Sequence, residues 1–377
     1  MKNTQTNSAS PLQKKKNFTA NLITIIAGIA LIAFLEANKS AFSYQISILE
    51  RSAVMAVVAV SMNLLTGFTG LFSLGQAGFM AIGAYTVAIF TIPVQERASV
   101  YYVDGIAPAL ANVHLPFWLA LLVGGLLAAG IAALIGIPVL RLKSDYLAIA
   151  TLGFSEIIRA LISAPQFNKI TNGSYGLKNI PAFPNLFVFF GIVILCIGLM
   201  ILLINSSYGR VFKAIREDEV AAESMGINLF HYKELSFVIS SFFTGVGGGL
   251  LAMFMRSIDS KTFQVTLTYE ILLIVVLGGI GSVTGSVLGA FLITFGKEWL
   301  RFFDEPLVIA GVSIPLFRTG FRMVIFSIIL MLVVLFHSRG LMGSNEFSWP
   351  GFVRWLKSFP ARFTKKKKAV SDGGEKS

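Results

Sequence analysis

A chain of 377 residues with 55% hydrophobic and only 13% charged side chains lacks the polar surface a water-soluble fold needs, since soluble domains carry about 25% charged residues. A mean hydropathy of +0.75 and 35 glycines, which let membrane helices approach closely, suit a protein dissolved in lipid. The net charge of +12 gathers towards the two ends, and the single cysteine, Cys196, lies in an apolar run, which excludes an intrachain disulfide and a cysteine-based metal site.

In chain order, residues 1–21 form a tail with Lys14, Lys15 and Lys16, expected to stay in the cytoplasm. The apolar stretch 22–35 follows this basic region as a signal-peptide core would. Residues 36–40 offer no small-residue cleavage site, so the stretch is read as an uncleaved span. The sequence predicts an all-α integral membrane protein, a polytopic bundle of about ten membrane-embedded helices. They are expected near 22–38, 48–66, 74–93, 116–140, 146–164, 186–205, 236–255, 267–280, 283–300 and 320–337, all within a transmembrane domain over 22–340. The segment 267–280 is short for a span, so some helices are expected to be broken or re-entrant, with protein or a cavity around them. A second tail, 341–377, carries Arg354, Lys357, Arg362 and the lysines of 365–368. Basic tails beside membrane spans fit cytoplasmic retention and anionic lipid, not nucleic acid. An even span count puts both termini on that same side. It places Arg141, Lys143 and the stretch 206–235 inside, and 94–115 and 301–319 outside.

Two glycine motifs echo each other. Gly67-Phe68-Thr69-Gly70-Leu71-Phe72-Ser73 is matched by Gly278-Gly279-Ile280-Gly281-Ser282-Val283-Thr284, and a further glycine follows each, Gly78 and Gly289. Internal duplication produces such a pattern, and transporters often use it. Gly67, Gly70, Gly75 and Gly78 weaken a helix and bare its backbone, and Asn63, Ser73 and Gln76 lie beside them. Such a segment either lines a polar translocation path or packs helices closely, and Gly278, Gly279 and Gly281 carry the same two readings. Glu156 and Arg159 fall inside an apolar span at a spacing that lets them pair, so they serve either as a structural ion pair or on the path. The turn-rich loop 171–176 is expected outside.

The stretch 208–228 is the most informative. Its charges nearly cancel, with Arg210, Lys213 and Arg216 against Glu217, Asp218, Glu219 and Glu223. Val211, Ile215, Ala222 and Met225 are at helical spacing, but Asp218 would interrupt that apolar stripe in a continuous helix. A break is therefore expected, with Asp218 capping a short second helix and Gly226 ending it in a left-handed conformation. Small side chains and mixed charge fit protein docking better than lying on lipid. No phosphate-binding Gly-rich loop occurs, since Gly296-Lys297 is followed by Glu298. His114, His231 and His337 lack metal or triad spacing. No catalytic or metal-binding set is found.

This stretch resembles the coupling loop of ABC importer permeases, in which Glu-Ala-Ala is followed by three residues and a glycine. Ala221-Ala222, Glu223-Ser224-Met225 and Gly226 fit that spacing, although Val220 stands at the Glu position with Glu219 before it. The wording is closer to the branched-chain amino-acid permease family, in its LivM-type member. Residues 63–78, 140–154, 277–285 and 338–343 resemble the same family, in order, over about residues 50–343. The resemblance implies a permease that does not bind ATP itself and works beside a second, LivH-like permease. Two cytoplasmic ATPases would use the ATP, and a periplasmic protein would deliver leucine, isoleucine or valine. It assigns coupling to Arg210, Arg216, Glu217, Asp218, Glu219, Ala221, Ala222, Glu223 and Gly226. Urea, short amides or other amino acids are alternative cargoes. An ion-coupled secondary transporter relying on Glu156 or Glu270 is the rival mechanism.

Overall fold

The computed structural model describes residues 28–142 and 144–301 and short pieces between 308 and 346. The lysines of both tails, Arg354, Arg362 and most of the span expected at 320–337 lie outside the described residues. The chain divides into two compact units, Met1–Lys39 with Glu346–Ser377, and Ser40–Asn345. In the first, the described part is a short apolar helix, Gly28–Ala37, closed by a bond from Asn38 Nδ2 to Phe34 O at 3.0 Å.

The second unit is nearly all helical. Its main helices are α1 (Ser43–Asn63), α2 (Gln76–Thr91), α3 (Phe117–Val139), α4 (Ser144–Ser163), α5 (Leu186–Asn205), α6 (Ser207–Glu217), α7 (Glu219–Ser224), α8 (Leu229–Met255), α9 (Val265–Gly278) and α10 (Val283–Trp299). Besides shorter helical turns and the Leu177–Ile258 bridge, the described residues contain a two-residue ladder pairing Val308 with Ser313 and Ile309 with Val312. Most elements fall within a few residues of the apolar runs. Two differ in an informative way. α8 begins at Leu229, not near 236, because Asn228 accepts a bond from the His231 amide and caps it there. α1 does not end with its α-helical turns but widens into a π-helical stretch, Leu64–Thr69, which Gly70 terminates.

Not all of the about ten expected membrane-embedded helices are long enough to be spans among the described residues. Among the described residues five helices are long and apolar enough to cross a membrane, or six if α2 and the bent segment Val94–Val100, turned by 99°, form one span. α9 has 14 residues, so it is ~21 Å long and falls short of a ~30 Å hydrocarbon core.

The core is organised around α8 and α1. α8 packs on α1, α2 and α3, and α1 packs also on α5, α9 and α10. Side chains from Ser52 to Leu65 on α1 are all buried, which fits a helix that is apolar all round. Close approach is set by the glycine run of α8. A Cβ on Gly247 would lie 2.5 Å from Val58 Cγ2, and one on Gly249 would lie 2.6 Å from Val87 Cγ2. Gly245 and Gly248 press directly on the backbone of α2, at Gly83 and Met80. In lipid there is little hydrophobic drive between helices, so such van der Waals contact is a main source of cohesion. α3, α4 and α5 turn apolar faces outward: Leu134, Ile149 and Leu202 are each about two thirds exposed or more (72%, 68% and 69%).

Candidate functional site

The loop after α5 folds as two short helices. α6 buries Phe212 and Ile215 and leaves its charges outside. The predicted break lies at Asp218, whose Oδ1 accepts bonds from the amides of Val220 (2.9 Å) and Ala221 (3.0 Å) and so starts α7. Gly226 ends it with φ +82°, the left-handed value the turn requires, and Ile227 N closes back on Ala222 O at 3.2 Å. As expected from Asp218, Val211, Ile215, Ala222 and Met225 do not form one continuous stripe. The break rotates α7, so that Ala222 is buried while Val220 and Met225 are 75% and 82% exposed. Lys233 of α8 holds Glu219 at 2.6 Å. Arg210 stays near Ser207, and Ala221 and Glu223 face outward.

Arg216, at the last turn of α6, reaches inward. Its Nη1 donates to Gly67 O at 2.6 Å, at the end of the π-helical stretch, while Nη2 pairs with Glu217 at 2.5 Å. A cation there complements the unpaired carbonyls and dipole of a helix C-terminus. Lys213 lies over the Phe68 ring at 5.5 Å. Beside this joint lies the turn between α9 and α10, carried by Asn63. Asn63 Nδ2 donates to Ser282 O (2.9 Å) and Ser286 Oγ (2.7 Å), and its Oδ1 accepts from Gly281 N (2.8 Å). The two glycine motifs therefore meet: a Cβ on Gly67 would lie 2.5 Å from Gly281 N, and one on Gly281 3.0 Å from Arg216 Nη1. Gly70 packs on the Arg216 stem, and Gly278 abuts Gly285. The chain returns to this point at 341–342, where the amides of Leu341 and Met342 bond Leu277 O (2.8 Å) and Gly278 O (3.1 Å).

Deeper in the bundle runs a polar seam. Ser61 Oγ bonds Thr244 Oγ1 at 2.6 Å, Thr244 donates to Gln76 Oε1 at 2.5 Å, and Ser61 and Ser240 are linked as well. The start of α2 is fastened by hydroxyls, Thr268 accepting from Ala77 N and Thr151 from Leu74 N. Ser73 is buried beside Gly75, and Gly78 packs against Ser155 of α4. Ser61, Ser240, Thr244 and Thr268 were not singled out from sequence. The i, i+4 spacing of Ser240 and Thr244 within an apolar helix is the signal that would have found the last turn of this seam. Glu156 pairs with Arg159 on α4 at 2.6 Å, and Glu270 of α9 with Lys297 of α10 at 2.8 Å. Among the described residues no cluster has the ligands for a metal ion.

Beyond α2, the buried Arg97 gathers the carbonyls of Ile89, Ile92, Leu110, Ala111 and Val113. Tyr101 next to it donates to Ile170 O at 2.7 Å, and burial pushes its phenol up to about 12.

The family described as branched-chain amino acid transport system, permease component, matches residues 44–335, which includes the 206–228 loop, the glycine turn and the seam. This chain belongs to that family. It is 33% identical over 298 residues to the high-affinity branched-chain amino acid transport system permease protein LivM of Escherichia coli (strain K12), covering 69% of this chain. That match spans 65% of the length of the Escherichia coli protein, just under two thirds. The LivM protein of Salmonella typhimurium is 32% identical over 306 residues, 71% of this chain and 67% of its own. The probable LivM protein of Methanocaldococcus jannaschii is 24% identical over 327 residues, 78% and 92%. No solved structure matches the chain. The family is one of transport permease components.

Proposed function

We propose that this LivM-type permease is one of two different membrane subunits of an ABC importer that carries leucine, isoleucine or valine across the inner membrane. A pair of cytoplasmic ATPases binds and hydrolyses the ATP, and a periplasmic binding protein delivers the cargo. Both termini of the chain lie in the cytoplasm. The observation that carries the reading is the 206–228 loop. It is a pair of capped helices that exposes Val220 and Met225 and is joined by Arg216 to the glycine turn inside the bundle. An ATPase seated on α7 would move α6, and α6 is held to the end of α1 and next to the turn between α9 and α10. The seam of Ser61, Gln76, Ser240 and Thr244 is the segment of the path that must open, since its hydroxyls bond one another across α1, α2 and α8. Both deep carboxylates, Glu156 and Glu270, are occupied by basic partners, which favours an externally driven permease over an ion-coupled one.

The test is purification of the tagged protein in mild detergent with identification of what accompanies it. ATPase subunits are expected with the native loop. Asp218→Lys removes the cap of α7, worth about 1 kcal/mol of local helix stability, and places a cation at a helix N-terminus. Gly226→Trp forces a bulky side chain into a left-handed position. Both are expected to lose the ATPases while leaving the bundle intact. Recovery of the native protein alone, with uptake that depends on a proton or sodium gradient, would overturn the importer reading.

A further inference from the structure

At the other end of α8 lies a second feature that the permease reading does not use. α8 runs 27 residues from the docking loop to Met255, a length of ~40 Å, so Arg256 stands across the bundle from α6 and α7. There an open cleft of about 400 Å³ is lined by Glu96, Asn179, Ile180, Pro181, Ala182 and Arg256. Its two rims are fastened to each other. Leu177 and Ile258 exchange backbone bonds at 2.8 Å, and Ile180 N donates to Arg256 O at 3.1 Å. Among the described residues three that are not glycine have positive φ, and two of them, Asn179 (+59°) and Arg256 (+57°), line this cleft. Such backbone is uncommon and costly, and it concentrates at functional positions.

The charges are equally telling. Glu156 and Glu270 are paired, and Arg97 is saturated by carbonyls. Among the described residues the exposed Glu96 carboxylate, Arg256 guanidinium and Asn179 carboxamide have no hydrogen-bond or ion-pair partner, nor has the neighbouring Lys178 ammonium. One anion and one cation without partners thus share a cleft whose remaining lining is Asn179 and the run Ile180-Pro181-Ala182, of which Pro181 and Ala182 are partly exposed. Its volume falls in the range of small-molecule sites.

We propose that this cleft is a receiving site for a free amino acid on the far side of the membrane from the docking loop. Arg256 takes the α-carboxylate, Glu96 takes the α-ammonium, and the partly exposed Pro181 and Ala182 take an aliphatic side chain. This rests on the importer reading and adds a cargo contact to it. A guanidinium fork suits a carboxylate, and charge-assisted bonds of this kind discriminate strongly against an analogue that lacks one charge.

The test uses the full-length protein with the subunits that accompany it, in lipid nanodiscs without a binding protein. Saturation-transfer NMR compares leucine with leucinamide, which lacks the carboxylate, and 4-methylpentanoate, which lacks the ammonium. The native protein is expected to prefer leucine over each by about ten-fold. Arg256→Asn, a residue tolerant of left-handed backbone, is expected to remove the preference over leucinamide, and Glu96→Gln the preference over 4-methylpentanoate. Ala182→Trp touches neither charge and is expected to abolish leucine binding by filling the cleft, which covers the case of a misfolded charge variant. Leucine preference that survives all three changes overturns the site. So does absence of leucine binding by the native protein, or unchanged leucine binding together with weaker capture of the binding protein, which would make the cleft a protein contact. The importer reading is checked apart from this, by leucine uptake into proteoliposomes with binding protein and ATP. Uptake by the native complex without any effect of the cleft variants leaves that reading standing and the site refuted.

Discussion

Gly83→Val is expected to prevent assembly of the bundle, giving little or no monodisperse protein in detergent. A Cβ at Gly83 meets the backbone carbonyl of Gly245, and the same two helices touch again where Gly248 meets Met80 O. Backbone on both sides cannot rotate out of the way as a side chain can. α2 would have to withdraw from α8, breaking the Thr244–Gln76 bond and opening the contact with α3. Overpacking a well-filled interior costs roughly 1–3 kcal/mol and more where the neighbour cannot move. The comparison that gives this weight is Gly198→Ala. Nothing lies within 4 Å of a Cβ at Gly198, on the outward part of α5. There alanine should stabilise the helix by up to about 1 kcal/mol through its higher propensity. Equal melting temperatures for the two variants would show that α2 and α8 do not pack as described.

Arg216→Ala is expected to separate ATP hydrolysis from uptake. The variant loses the bond to Gly67 O, the link by which α6 holds the end of α1. A hydrogen bond to a charged group contributes about 1.5–3 kcal/mol, which corresponds to a drop in coupled uptake of roughly ten-fold to a hundred-fold. The pair with Glu217 adds little, because that carboxylate is 71% exposed. ATPase subunits should still bind, since α7 and its cap are untouched. Arg216→Lys keeps the charge but not the planar fork, and should recover uptake only in part. Measured in proteoliposomes, the ratio of substrate moved to ATP hydrolysed decides the matter. Parallel loss of both activities would point to a docking role for Arg216, and no loss of either would remove it from the coupling route.

The two experiments probe one arrangement from opposite ends. α8 follows the 206–228 loop, has the glycine run and polar seam in its middle, and ends at Arg256. Its glycines allow α1, α2 and α3 to lie close, with α2 and α3 in backbone contact. Asn63 ties α1 to the turn between α9 and α10, and the segment at 341–342 caps the end of α9. The contact of α6 with Gly67 therefore lies beside segments that are far apart in sequence.

Much of this was readable from the chain alone, because it depends on local chemistry. Low charge and long apolar runs decide a lipid solvent, and runs such as 186–205 become helices with little change. Asp218 and Gly226 mark the start and stop of α7 because a cap and a left-handed turn are satisfied within a few residues. Tertiary structure decided the rest, since it turns on which distant groups meet. The glycine motifs had two readings by sequence; only the fold shows that Gly67 and Gly281 touch each other and that Asn63 and Arg216 fill the space around them. A hydroxyl such as Ser61 carries no periodicity that marks it, and its partners Ser240 and Thr244 lie more than a hundred residues away. The exposure of Met225 and the cleft between Glu96 and Arg256 likewise arise from the way helices end and turn, which composition and spacing do not encode.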